Sequence, residues 1–192
     1  RFTLRNDSTH EFRGLLLVSN GDAGLRFAAS SAIKPGQEWS IVLPDEVRES
    51  ADLATAVKEE LVAAGLYEAE ADAMVGTWQQ SWFHEAGTRL FYVLPQSLTD
   101  ELLPLTIQPV PQESVRVMVG RYEILTPEDE EAFIAAIHEG MQAKELPNTI
   151  PEVLNCRGRF AEPALQQIAV TARDPRFKEE AFRLYRLARN RR

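Results

Sequence analysis

Several residue types that mark familiar protein classes are scarce in this chain of 192 residues. Its one cysteine, Cys156, has no partner within the chain, which excludes an intramolecular disulfide. No run approaches the roughly 20 apolar residues of a membrane-spanning helix, so we expect no membrane insertion. The three histidines, His10, His84 and His138, have no metal-ligand spacing. We therefore expect no bound metal.

Motifs of nucleotide and hydrolase chemistry are missing as well. The sequence contains no glycine-rich phosphate loop, no dinucleotide fingerprint and no serine elbow, and we expect no cofactor. Arginines follow Cys156, but a cysteine phosphatase needs an arginine six positions after its nucleophile, and that position is Glu162. We interpret Cys156 as a partly buried packing residue.

Charge is distributed unevenly along the chain. Eight basic and three acidic residues between Arg173 and Arg192 give that tail a charge of +5. Because the net charge of the chain is −8, the residues before the tail carry −13. An acidic body of this kind repels phosphates and anionic lipids. We expect no nucleic-acid partner.

The first 44 residues predict β structure, because short apolar runs alternate with turn residues. The turns are Asn6 to Thr9, Asn20 to Gly24 and Lys34 to Gln37. This antiparallel segment is typical of a meander or a half-sandwich that can belong to a larger sandwich. The sequence thus predicts a β segment over 1–44 and an α+β body over 45–192.

From Asp45 the apolar period becomes helical and predicts a helical hairpin over 51–85, with Gly65 ending its first helix. Thr126 and Asp174, each followed by proline, are typical helix starts, and the acids Glu128 to Glu131 fit a first helical turn. The chain closes with a predicted pair of C-terminal helices. The fold class predicted is α+β.

A small antiparallel sheet is predicted for the middle of the body. Its strand from Val115 has apolar residues at odd positions up to Val119 and at even positions from Tyr122, which predicts a β-bulge at Gly120. The bulge would put Arg116, Arg121 and Glu123 together on the polar face. Most simply that face is solvated; the sharper hypothesis is an anion-binding surface completed by Arg89.

Side chains able to make specific contacts are densest between Trp78 and Tyr92. Trp78 and Trp82 lie one helical turn apart, with His84 and Glu85 after them and Arg89 opening the next strand. The pattern fits an aromatic pocket with polar groups. It also fits a tryptophan-rich core that includes Tyr92, which is the simpler interpretation because the same helical stripe continues back through Met74.

Four stretches of the chain resemble a segment found in uncharacterised bacterial proteins: GLYEAEADAMVGTWQQSWF, RLFYVLP, TDELLPL and VRVMVGRYEILTPEDE. The resemblance covers roughly residues 58–131 and supplies no catalytic residue. It implies an exported protein of the periplasm or cell surface, although a cytoplasmic location stays open.

Two functions remain open from the sequence. One is a non-catalytic binding or structural module whose partner is another protein or another domain of the same precursor. The other is an enzyme of unfamiliar type with a site around His84, Glu85 and Arg89. The candidate contact residues are Trp78, Trp82, His84, Arg89, Arg116, Arg121 and Glu123, and no small-molecule ligand can be named.

Overall fold

The computed structural model describes residues 1–143 and 149–190. The predicted α+β class is confirmed, and the helices and strands follow in this order: β1 (Phe2–Arg5), β2 (Phe12–Asn20), β3 (Arg26–Ile33), β4 (Glu38–Ile41), α1 (Ser50–Ala63), α2 (Glu68–Gln79), β5 (Gly87–Leu94), α3 (Gln96–Leu102), β6 (Met118–Ile124), α4 (Pro127–Gln142), α5 (Glu152–Asn155), α6 (Ala161–Thr171) and α7 (Pro175–Arg189). A π-helical turn, Gln80–His84, extends α2.

The chain forms two compact units. The first unit contains Arg1–His84 and Thr88–Tyr122, and the second contains Glu85–Gly87 and the described residues from Glu123 onward. The division therefore falls between residues 122 and 123, and the β segment of residues 1–44 belongs to the same unit as α1, α2 and β5. The change from strand to helix near residue 45 is a change of layer within one unit.

Two sheets build the first unit. The larger has the order β3-β2-β5-β6, and the smaller consists of β1 paired with β4. Strands β2 and β3 are antiparallel with Phe12 opposite Ile33 and Ser19 opposite Arg26. β1 and β4 are also antiparallel, with Phe2 opposite Ile41. The predicted antiparallel character of the first 44 residues is confirmed.

The two helices α1 and α2 form the predicted hairpin and cover one face of the larger sheet. Gly65 ends α1 with φ 110°, where the backbone N–H of Leu66 donates to Leu61 O at 3.2 Å. A buried core lies between helices and sheet: Leu16, Val18, Leu25, Leu53, Val57, Leu61, Ala71, Trp82, Phe83 and Phe91.

β2 changes the direction of its side chains at Gly14. Leu16 and Val18 pack in the helical core, whereas Phe12, also even-numbered, lies on the opposite face against the ring of Tyr92. Gly14 has φ 57°, a conformation that glycine adopts at little cost. A Cβ there would lie 3.1 Å from Glu60 of α1, so the close approach of α1 also requires a residue without a side chain at this position.

β6 divides its faces differently from the predicted bulge. Val117 and Val119 pack against the helical core, and Arg121 reaches the same side, where it donates to Ser81 O. Tyr122 instead lines a groove on the opposite face. The apolar residues change from odd to even positions because both faces of the strand have apolar surroundings. Gly120 leaves room for the ring of Tyr92, with which a Cβ at this position would clash.

The second unit is helical and has its own core. Thr126 caps α4 through Asp129 N, and Asp174 caps α7 through Arg176 N and Phe177 N, as the sequence predicts. The core residues are Phe133, Ile137, Leu154, Ala161, Leu165, Ile168, Ala169, Ala181 and Leu184. Gly140 lets α4 approach α7, because a Cβ there would lie 2.1 Å from Glu180 Oε1.

The structure also bears on Cys156, on the basic tail and on membrane insertion. Cys156 is exposed, so the interpretation of a partly buried packing residue is wrong; its thiol donates to Val153 O at 3.2 Å. Of the predicted basic tail, Arg191 and Arg192 lie outside the described residues. Among the described helices, none has the length and apolarity that crossing a membrane requires.

Replacing Gly14 by alanine tests its two roles. We expect Gly14→Ala to lower the free energy of unfolding by roughly 1–2 kcal/mol, the cost of a non-glycine residue in the left-handed conformation. The loss should be larger still, because the new Cβ crowds Glu60 and Val93 at 3.1 Å. Unfolding in urea measures the total loss. Gly36→Ala is the matched control, since Gly36 has φ 74° and open space around its Cβ position. Equal losses in the two variants would contradict the close approach of α1.

Candidate functional site

The two tryptophans of the predicted pocket have different environments. Trp82 is 6% exposed and its ring packs against Phe83 and Phe91 in the helical core. Trp78 is 46% exposed and stacks on Trp82 with ring centroids 6.1 Å apart. Tyr92 does not join them, because it lies on the other face of the sheet. The tryptophans therefore form a core with one exposed outer ring.

Side chains from three strands cap the end of the α2 helix. Arg89 donates from Nη1 to Trp82 O at 3.2 Å and to Ser81 O at 3.5 Å, Arg121 also donates to Ser81 O, and Asn20 donates to Phe83 O at 3.0 Å. The last carbonyls of a helix have no partners within it, and cations are favoured there. Arg89 and Arg121 thus have a structural role.

His84 and Arg89 of the predicted site differ in their access to water. The side chain of Arg89 is fully buried, at 0% exposure, whereas His84 is exposed. Glu85 and Glu123 are half-buried and belong to the second unit. A solute in water therefore reaches His84 without reaching the Arg89 guanidinium.

The predicted anion-binding surface depends on three arginines, of which Arg89 and Arg121 meet at one helix carbonyl, Ser81 O. Arg116 pairs with Asp100 at 2.8 Å, Arg121 caps the helix, and Arg89 is buried. Arg89 and Arg121 therefore converge on a helix end, and Arg116 contacts a carboxylate of α3. The paired carboxylate also cancels the local charge that Arg116 would present to an anion.

A surface that sequence reasoning missed lies on the segment from α3 to β6. Its large apolar side chains are exposed, and we call them the apolar loop surface: Leu102, Leu103, Leu105, Ile107, Val110, Val115 and Met118. A groove of about 540 Å³ runs through it between Gln96 and Arg116. The sequence signal was the density of apolar residues in a stretch without helix or strand periodicity.

Polar contacts to α3 hold the C-terminal end of the loop that carries the apolar loop surface. Gln96 donates from Nε2 to Ser114 O at 3.1 Å, and Arg116 pairs with Asp100 as described. These contacts tie the end of the loop back to the helix that precedes it. A partner binding there would not have to order the whole segment first.

Two further cavities lie in the first unit. One, of about 540 Å³ beside α1, is lined by Glu11, Arg13, Glu60 and Arg116 among others; burial raises the pKa of the Glu60 carboxyl, with a smaller contribution from the charge of Glu59. The other, of about 300 Å³, lies beside β1 and has mainly apolar walls. We call the latter the β1 groove.

Metal-binding chemistry and known relatives do not assign a function to the chain. Among residues 1–143 and 149–190, no group of three His, Cys, Asp or Glu side chains is placed to hold a metal ion. No family model, curated protein or solved structure matches the chain.

The capping role of Arg89 predicts a large loss of stability on its removal. We expect Arg89→Met to lower the free energy of unfolding by at least about 1.5–3 kcal/mol, the contribution of a hydrogen bond to a charged group, because buried carbonyls lose their donor. Arg116→Met is the matched control and should cost about 0–1 kcal/mol, as exposed ion pairs do. Chemical denaturation compares them. An Arg89→Met protein as stable as the control would show that the cap is dispensable.

Proposed function

We propose that the chain is a non-catalytic binding module that holds another protein through the apolar loop surface. The observation that carries the proposal is the exposure of seven large apolar side chains between Leu102 and Met118. Leu105, Ile107 and Val110 line one groove of this surface, and exposed apolar patches mark interaction sites. Val110, at 77% exposure, is the most exposed of the seven.

Charge supports a partner of defined chemistry. Asp100, Glu101 and Glu113 are exposed in or beside the surface, Arg116 is the basic residue paired with one of them, and the chain carries −8. Complementary charge favours a partner segment with apolar side chains flanked by lysine or arginine. A second copy of this chain would bring like charges together, and an anionic membrane would be repelled.

The enzyme hypothesis has less support. Its three residues, His84, Glu85 and Arg89, need a shared site that a substrate can enter, and Arg89 is fully buried with donors directed to helix carbonyls. We therefore advance the binding module alone.

We further propose an exported setting, in the periplasm or at the cell surface, for the protein that contains this module. The support is the resemblance of residues 58–131 to a segment of exported bacterial proteins. Fractionation of cells that express the full-length gene tests it, since recovery of the protein in the cytoplasmic fraction alone would contradict export.

Binding to a model partner tests the apolar loop surface. The probe is a synthetic amphipathic helical peptide of leucine and lysine, with all leucines on one face. We expect Val110→Ser to weaken its binding about tenfold, since burying a valine side chain contributes about 1.5 kcal/mol or more. Val170→Ser is the matched control, because Val170 is 62% exposed on α6, outside the surface. Fluorescence anisotropy measures both affinities.

Three results would contradict this proposal. The first is equal binding by the Val110→Ser and Val170→Ser proteins, which would place the peptide elsewhere. The second is no saturable binding at all. The third is a wild-type dimer in sedimentation that Val110→Ser dissociates, which would make a second copy the occupant.

A further inference from the structure

The β1 groove lies where the smaller sheet stops covering the larger one. Residues of all four strands of the larger sheet form its floor: Phe12, Leu15, Ile33, Leu90, Tyr92 and Tyr122. Leu4 and the turn after β1 form its wall. Because the smaller sheet has only two strands, β1 and β4, part of the apolar face near Tyr92 and Tyr122 stays open. Tyr122 is 65% exposed there.

The backbone of β1 presents pairing positions on the side away from β4. Asn6 N donates to Gln37 O at 3.0 Å, which continues the register that pairs Leu4 with Trp39 and Phe2 with Ile41. Backbone groups of an antiparallel strand alternate in direction, so the even-numbered residues point toward β4. Thr3 and Arg5 therefore point their N–H and C=O groups away from β4, and β1 ends the order of its sheet.

Polar contacts fix the wall of the groove before anything binds. The side chain of Asn6 is buried; it donates to Ile33 O at 3.0 Å and to His10 O at 2.7 Å, and it accepts from Ser8 N at 3.0 Å. These bonds tie the end of β1 to β3. Arg5 and Asp7 pair at 2.7 Å on the exposed rim.

We propose that the β1 groove accepts an extended segment of another polypeptide, which pairs with Thr3 and Arg5 as a third strand and inserts alternate apolar side chains. Side chains two residues apart on a strand lie on one face about 6.6 Å apart. The groove's volume of about 300 Å³ is twice the roughly 150 Å³ that holds a benzene molecule. It therefore takes two such side chains, at positions i and i+2.

The size of the groove favours a short segment over a second folded copy. Two buried side chains remove at most about 150–250 Å² each, far below the roughly 1,200 Å² that stable association of folded surfaces buries. Strand addition suits a small contact, because main-chain hydrogen bonds supply affinity and alternate pockets supply specificity. This proposal is independent of the apolar loop surface, which shares no residue with the groove.

Two peptides test the proposal by NMR on the full chain. The probe is a capped peptide in which valine and leucine alternate with threonine between terminal lysines; the control has the same composition with valine and leucine adjacent. We expect the probe to shift the amide signals of Thr3 and Arg5 saturably and to bind at least tenfold more tightly than the control. Equal affinities, or no saturation at millimolar peptide, would overturn the proposal.

Thr3→Pro separates strand pairing from simple filling of an apolar cavity. Proline removes the outward N–H of residue 3 and is tolerated on edge strands, so we expect lost binding with a melting temperature near that of the wild type. Thr3→Ala keeps the N–H and should bind normally. Normal binding by Thr3→Pro, or saturation by indole without response to the peptides, would overturn the proposal in favour of a small apolar ligand.

A second variant keeps the test decisive if Thr3→Pro fails to fold. Tyr122→Glu changes an exposed side chain at the end of the groove and leaves the core untouched. We expect it to weaken probe binding more than fivefold, because a charge replaces an apolar wall. Unchanged affinity would overturn the proposal.

Discussion

The first unit depends on the capping of one helix end by the sheet beneath it. Three consecutive carbonyls, those of Ser81, Trp82 and Phe83, accept hydrogen bonds from side chains of β6, β5 and β2. The π-helical turn at this point lets the neighbouring residues Trp82 and Phe83 both face the core. A single set of polar contacts thus fixes the position of the helical layer and the rotation of its largest side chains.

The same arrangement gives two arginines of the predicted site, Arg89 and Arg121, their acceptors within the fold. A buried guanidinium needs acceptors, and a helix end supplies them in one place. Arg89 and Arg121 meet that need from neighbouring strands. The binding surfaces that we propose lie elsewhere, on the loop after α3 and on the sheet face that the smaller sheet leaves open.

Sequence reasoning predicted what depends on local chemistry. The change of period near Asp45, the stop at Gly65 and the caps at Thr126 and Asp174 all follow from a few neighbouring residues, and the structure has them. The burial of Trp82 also follows from a local pattern, because this residue continues the apolar stripe of its helix.

It could not predict what depends on contacts between distant elements. The parity change at Gly120 has the same appearance in sequence whether a strand bulges or has apolar surroundings on both faces. Gly14 gave no signal, since only the position of α1 shows why a side chain is excluded there. The burial of Arg89 is likewise set by the end of α2, and the exposed loop after α3 differs from a core segment only in what surrounds it.

Cys156 has a practical consequence. It is the sole cysteine, it is exposed, and it lies in the second unit, whereas all three tryptophans, Trp39, Trp78 and Trp82, lie in the first. An acceptor dye attached to this thiol would receive excitation energy from the first unit alone. The unaltered sequence therefore carries three energy donors and one attachment site for an acceptor, with which the distance between the two units can be followed in solution.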